Sequence, residues 1–169
     1  PFLAESWELS EDGNTFTMVM REGATFVDGD PVDAAAVVAN LDRMINDPNS
    51  TVAYVLAPII ASSEVVDERT VKLNLQAPGG ALPTIFASRT GMMVSPKALE
   101  NPESLAITPA GAGAFELVAN VPGSSYSFVR RDDYWDKDAY KFAKLEYLIQ
   151  VDTATRLNAL QAGETTLTS

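Results

Sequence analysis

Apolar and polar residues alternate through Thr15–Arg21, with Phe16, Met18 and Met20 on one side and Thr15, Thr17 and Val19 on the other. A period of two marks a half-buried strand. The preceding SEDGN, residues 10–14, carries the Asp12-Gly13 pair that signals a hairpin, and SWEL supplies the partner strand. A second pair reads ASSEVVD then TVKLNLQ, where Val71, Leu73 and Leu75 alternate after a turn at Glu68 and Arg69. A third reads GAFELVAN, VPGSS and YSFVRR, with Pro122 and Gly123 suited to a type II turn. Three hairpins predict an α+β fold in which a mostly antiparallel sheet carries several helices.

The helical period is clearest over Ala34–Asn46, where Val37, Val38, Leu41, Met44 and Ile45 form one apolar stripe. Asp33 stands at the N-cap position, Asp28 and Gly29 make the tight turn before it, and Pro31 stiffens the approach. Shorter helices are expected over ALPTIFAS, SPKALEN and TATRLNALQAG, the last ending at Gly163. No repeat, low-complexity tract or linker rich enough to divide the chain is present.

Composition then works by exclusion. The 169 residues are 46% hydrophobic, enough for a real core. The 23 Asp and Glu against 12 Lys and Arg give a formal charge of -11, which repels phosphate backbones and argues against nucleic-acid binding. There is no Cys and no His, which removes thiol nucleophiles, imidazole bases and the usual zinc ligands together. No apolar run is long enough to span a membrane. The chain opens at Pro1 without a Met or a basic-then-apolar leader, so it reads as an excised piece of an acidic, secreted or freely soluble protein.

Several motifs invite chemistry. Asp28, Asp30 and Asp33 start like a calcium loop, but Val32 and the alanines that follow break it and no Glu closes it. GAGAF, residues 111–115, lacks the third Gly and the Lys of a phosphate loop. Arg130 to Trp135 reads as a turn whose charges neutralise each other while Trp135 covers a sheet edge. Lys137, Lys141 and Lys144 share a solvated face if DKDAYKFAKL is helical. Arg89 stands apart, between an apolar helix and an apolar strand, where its planar fork suits a carboxylate. A surface arginine favoured by a helix dipole is the other reading.

Taken in order, LAESWELSEDGNTFTMVMREGATFVDGDPVDAAAVVANLDRM, VVDERTVKLNLQAP, SPKAL, GAGAFELV, RRDDYW and RLNALQAGE resemble the bacterial solute-binding proteins of family 5, which feed ABC importers. Ala112 and Ala114 depart from that family's usual Thr and Pro, so the loop loses a hydroxyl and some stiffness. The resemblance implies a subdomain of the periplasmic-binding-protein-like fold (class II, cluster C). On that basis residues 1–169 are one domain, a partial first lobe whose leading strands and second lobe lie elsewhere, and apolar surface is left open. It implies a peptide or similar small solute held between lobes, permease subunits as partners, no cofactor, no metal and no catalysis. It places the protein in the periplasm or outside the cytoplasm, with the membrane met only through the permease or a lipid anchor. By position it also implies an aromatic at the cleft, Tyr54, a polar corner at Ser88, Arg89 and Thr90, and backbone approach at Gly111 and Gly113. A stand-alone interaction module presenting its sheet edges or Tyr134 and Trp135, and a carboxylate-dependent hydrolase, are the competing classes.

Overall fold

In the computed structural model, which describes residues 2–168, the first two hairpins merge into one sheet. Strands β1 (Ala4–Leu9), β2 (Thr15–Met20), β3 (Ile60–Val65) and β4 (Thr70–Leu75) lie in the order β1-β2-β4-β3, all antiparallel. The turns form as their residues dictate. Gly13 takes φ +72° and donates to the Ser10 carbonyl at 2.9 Å, while the Asp67 carboxylate accepts the amides of Arg69 and Thr70 at 2.9 Å each. What joins the hairpins is the β2–β4 register, Phe16 opposite Leu73 and Met18 opposite Val71.

That register puts Phe16, Met18, Met20, Val71 and Leu73 on one face, all buried against Val37, Leu41 and Met44 of helix α1 (Ala34–Asn46). Each fully buried side chain of this kind contributes roughly 1.5–3 kcal/mol. The opposite face is polar, with Lys72 and Glu64 paired at 2.5 Å. Helix α1 starts where expected, because Asp33 is extended and its carboxylate accepts the Ala36 amide at 2.8 Å. The turn before it closes through Gly29, φ +88°, whose amide donates to the Phe26 carbonyl at 3.0 Å.

The short helices are smaller than the sequence suggests. Helix α2 (Ala53–Leu56) has no periodic signal; α3 (Leu82–Phe86) is flanked by 3-10 turns at Gly79–Ala81 and Arg89–Gly91; and α4 (Pro96–Leu99) precedes another at Pro102–Ala106. Trp135 packs at 5.7 Å from Phe2, edge to face, and carries the Arg21 guanidinium 4.1 Å above its ring.

Contacts gather the chain into two compact units, one running to Ala114 with Asp132–Ala139 added, the other made of Phe115–Arg131 and the chain from Tyr140 on. The second holds the predicted third hairpin, β5 (Phe115–Val121) and β6 (Ser125–Arg130), closed at Gly123 with φ +73°. Here the condition for a shared lysine face is not met. The stretch 136–145 is not helical, because its backbone runs to the free edge of β6: the Arg130 amide donates to Ala143 at 2.9 Å, and β7 (Lys144–Leu148) completes a β5-β6-β7 sheet. The three lysines therefore share no helix face. Helix α5 (Thr153–Gln161) follows, capped by Asp152 at its start and by Gly163, φ +74°, beyond its end. No helix among the described residues is long and apolar enough to cross a membrane.

Candidate functional site

The polar corner forms where α3 ends. Its last carbonyls lack intrahelical partners, and the Ile85 carbonyl collects several donors: the Ser88 amide at 3.1 Å, the Ser88 hydroxyl at 2.7 Å and the buried Thr90 hydroxyl. The Gly91 amide then donates to Ser88 at 3.0 Å, closing a 3-10 turn. Gly91 is obligatory here, since a Cβ would stand 1.9 Å from the Phe86 carbonyl oxygen. The hydroxyls of Ser88 and Thr90 thus face into the turn, and Thr90 is only 4% exposed.

Arg89 is the exposed charged group of the corner. Its Nη2 donates to the Thr51 carbonyl at 3.4 Å, a long bond that leaves most of the fork open. The Arg69 guanidinium pairs with Glu5 and Glu22 and Lys72 pairs with Glu64, and none of these carboxylates engages Arg89. Thr51 lies just ahead of α2, whose Tyr54 is 72% exposed. The structure therefore ties the Arg89 corner to the segment that carries Tyr54.

The two glycines belong to another seam. Gly111 bridges Val94 in antiparallel fashion and its carbonyl accepts the Val27 amide at 3.0 Å, so its backbone is engaged in framework. At Gly113 a Cβ would meet open space. Val94 leads to a residue the sequence reading passed over. Asn40, 2% exposed, donates to the Val94 carbonyl at 2.7 Å and accepts the Val94 amide at 2.9 Å, as a strand neighbour would. Its second donor bond goes to Ala36 at 2.9 Å. A polar residue inside the apolar stripe of α1 was the available signal.

A cavity of about 320 Å³ opens between the sheet and α1, walled by Trp7, Phe16, Met18, Met44, Phe86 and Met93 among others. Asn40 and Thr90 are the polar side chains in its wall, and both direct their hydrogen bonds to backbone. The cavity is therefore an apolar packing surface. Among the described residues no three His, Cys, Asp or Glu converge as metal ligands. Asp33 caps α1, and Asp30 accepts from the Ser95 hydroxyl at 3.5 Å. What the corner offers is one open cation, bonded to the segment that carries one exposed aromatic ring.

Known proteins resemble the chain along most of its length. The glutathione-binding protein GsiB of Salmonella paratyphi A is 37% identical over 163 residues, which is 96% of this chain and 32% of that protein. Among solved structures, AgaA from A. tumefaciens R10 in complex with agropinic acid superposes with a TM-score of 0.91 at 33% identity, covering 98% of this chain and 34% of that one. NikA from Brucella suis in complex with Fe(III)-EDTA gives 0.80 at 32% identity, covering 97% and 33%. The chain thus spans about a third of the length of the relatives it matches. The mixed helices and antiparallel sheets are those of periplasmic binding proteins. The family described as bacterial extracellular solute-binding proteins, family 5 Middle, matches residues 1–169, and the chain belongs to it.

Proposed function

We propose that these residues form one wall of the solute cleft in an extracytoplasmic receptor that delivers its ligand to the permease of an ABC importer, binding without catalysis. The observation that carries this reading is the open guanidinium of Arg89 beside the segment of Tyr54. An exposed arginine fork with no carboxylate of its own pairs best with one from outside, through two parallel charge-assisted hydrogen bonds. Tyr54 then covers the solute with its ring. Ser88 and Thr90 hold the corner, and the separate seam of Gly111 and Gly113 brings backbone to the cleft wall.

The reading narrows the solute to a small molecule bearing a carboxylate. Glutathione, for which GsiB is named, and the agropinic acid and Fe(III)-EDTA in the complexes of AgaA and NikA all bear carboxylates. A peptide with a free C-terminus fits equally well. The chain's charge of -11 repels such solutes at a distance, so their retention depends on a local cation.

The test uses the product of the complete reading frame. It is screened by thermal shift against glutathione, short peptides and a nickel chelate, since a ligand at 100 times its Kd stabilises by about 2.7 kcal/mol. For an acid that binds, Arg89→Met is expected to weaken affinity about ten-fold or more, the weight of a charge-assisted hydrogen bond, and esterifying the acid is expected to do the same. An Arg89→Met protein that binds as tightly as wild type would remove the anchor and with it the reading.

A further inference from the structure

We infer that Thr90 is the positioning residue for Arg89: its buried hydroxyl, fixed on the Ile85 carbonyl, sets the 3-10 turn that presents the guanidinium at Thr51. This deepens, and rests on, the reading of Arg89 as the solute's anchor. A long, exposed arginine is a poor clamp unless its backbone is held, because ordering it on binding costs affinity. The turn supplies that order in advance. Arg89 is exposed while its neighbour Thr90 is 4% exposed, so the chain pivots between solvent and core within one residue.

A linked set of hydrogen bonds fixes the pivot. The Thr90 and Ser88 hydroxyls share the Ile85 carbonyl and stand 3.3 Å from each other. The Gly91 amide closes onto Ser88, and the absent Cβ of Gly91 lets the chain pass the Phe86 carbonyl. The bonds of the Thr90 hydroxyl are less exposed than that of Ser88 to Ile85, and a hydrogen bond away from water is stronger and its loss less compensated. Thr90 also lines the apolar cavity behind the corner. One buried side chain thus ties the turn to α3 through its hydroxyl.

The test contains no solute, so it stands or falls apart from the binding experiment on Arg89→Met. Hydrogen exchange read by mass spectrometry is compared in wild type, Thr90→Val and Thr90→Ser, each in the product of the complete reading frame. In Thr90→Val, peptides covering 86–92 are expected to exchange about ten-fold faster while those covering β4 keep their wild-type rate, and Thr90→Ser is expected to restore protection. Equal acceleration in β4 marks Thr90 as a general core residue and overturns the inference. So does unchanged exchange over 86–92 in Thr90→Val, or a serine variant that fails to restore it. Should Thr90→Val not fold, Ser88→Ala, at an exposed position, removes the companion hydroxyl. It must then give the same local acceleration, and no acceleration overturns the inference.

Discussion

Asn40 shows how much one side chain can specify. It lies in the apolar stripe of α1, yet its amide takes the place of a strand neighbour for Val94, satisfying both backbone groups of a residue 54 positions away. Val94 in turn bridges Gly111, so the helix, the segment after the Arg89 turn and the glycine loop are registered through one amide. Leucine at this position keeps the size and helix propensity but abandons the Val94 N–H and carbonyl. A buried group left without a partner costs about 1–3 kcal/mol, so Asn40→Leu is expected to lose roughly 2–4 kcal/mol in a denaturant titration with little change in slope. An unchanged midpoint would mean that water or a shifted loop satisfies Val94 equally well. Leu41, the next residue, is buried for area alone, and its replacement by Val should cost much less.

At the scale of elements, the hairpin turns and one helix cap carry the pH dependence. The Asp12 carboxyl is held below its ordinary 3.8 by the Ser10 hydroxyl and then the Asn14 amide. The Asp67 carboxyl is lowered by the Arg69 amide and then by Thr70, and Asp152 at the cap of α5 by Thr155. Glu64 is lowered from 4.5 by its hydrogen bond to Lys72. A carboxyl whose folded value is depressed stabilises the fold fully above its unfolded value, and that contribution is lost as pH falls through the folded one. The stability gap between wild type and Asp67→Asn should therefore be constant above about pH 5 and close in acid, below the ordinary 3.8. A gap that persists at pH 2 would show that the turn depends on shape and not on charge. These turns were legible in the sequence because Asp-Gly, Pro-Gly and the period of two are local. The β2–β4 and β6–β7 pairings were not, since each depends on which edge a distant strand finds free. The condition for a lysine face over 136–145 fails for the same reason: lysine spacing says nothing of the Ala143 carbonyl, which accepts from the Arg130 amide. In the site, Arg89 stood out as a charge between apolar segments, whereas the inward turn of Thr90 and the duty of Asn40 depend on backbone partners that no spacing reveals.

For the whole molecule the deciding balance is between open apolar surface and charge. In the first unit, β1 is an edge strand whose Trp7 and Leu9 stand opposite Met18 and Phe16 on the core face, yet Trp7 remains 44% exposed, beside the open cavity. In the second, β7 is an edge strand with Tyr147 and Leu148 exposed, and Val151 beyond it is 90% exposed. Unpaired edges flanked by large apolar side chains are templates for association. Against this stands the charge of -11, whose repulsion acts over about 10 Å at 0.1 M salt and over about 3 Å at 1 M. Salt therefore weakens the opposing force and leaves the attraction in place. A polypeptide of these 169 residues is expected to bind a hydrophobic dye, to sediment faster than an 18.1 kDa monomer, and to do so more strongly as salt is raised. Trp7→Glu, which sets a charge on the open edge, should reduce both signals without unfolding the chain. A monomer at every salt concentration with no dye fluorescence would mean that the exposed residues pack on one another in solution and that the edge of β1 is not a docking surface.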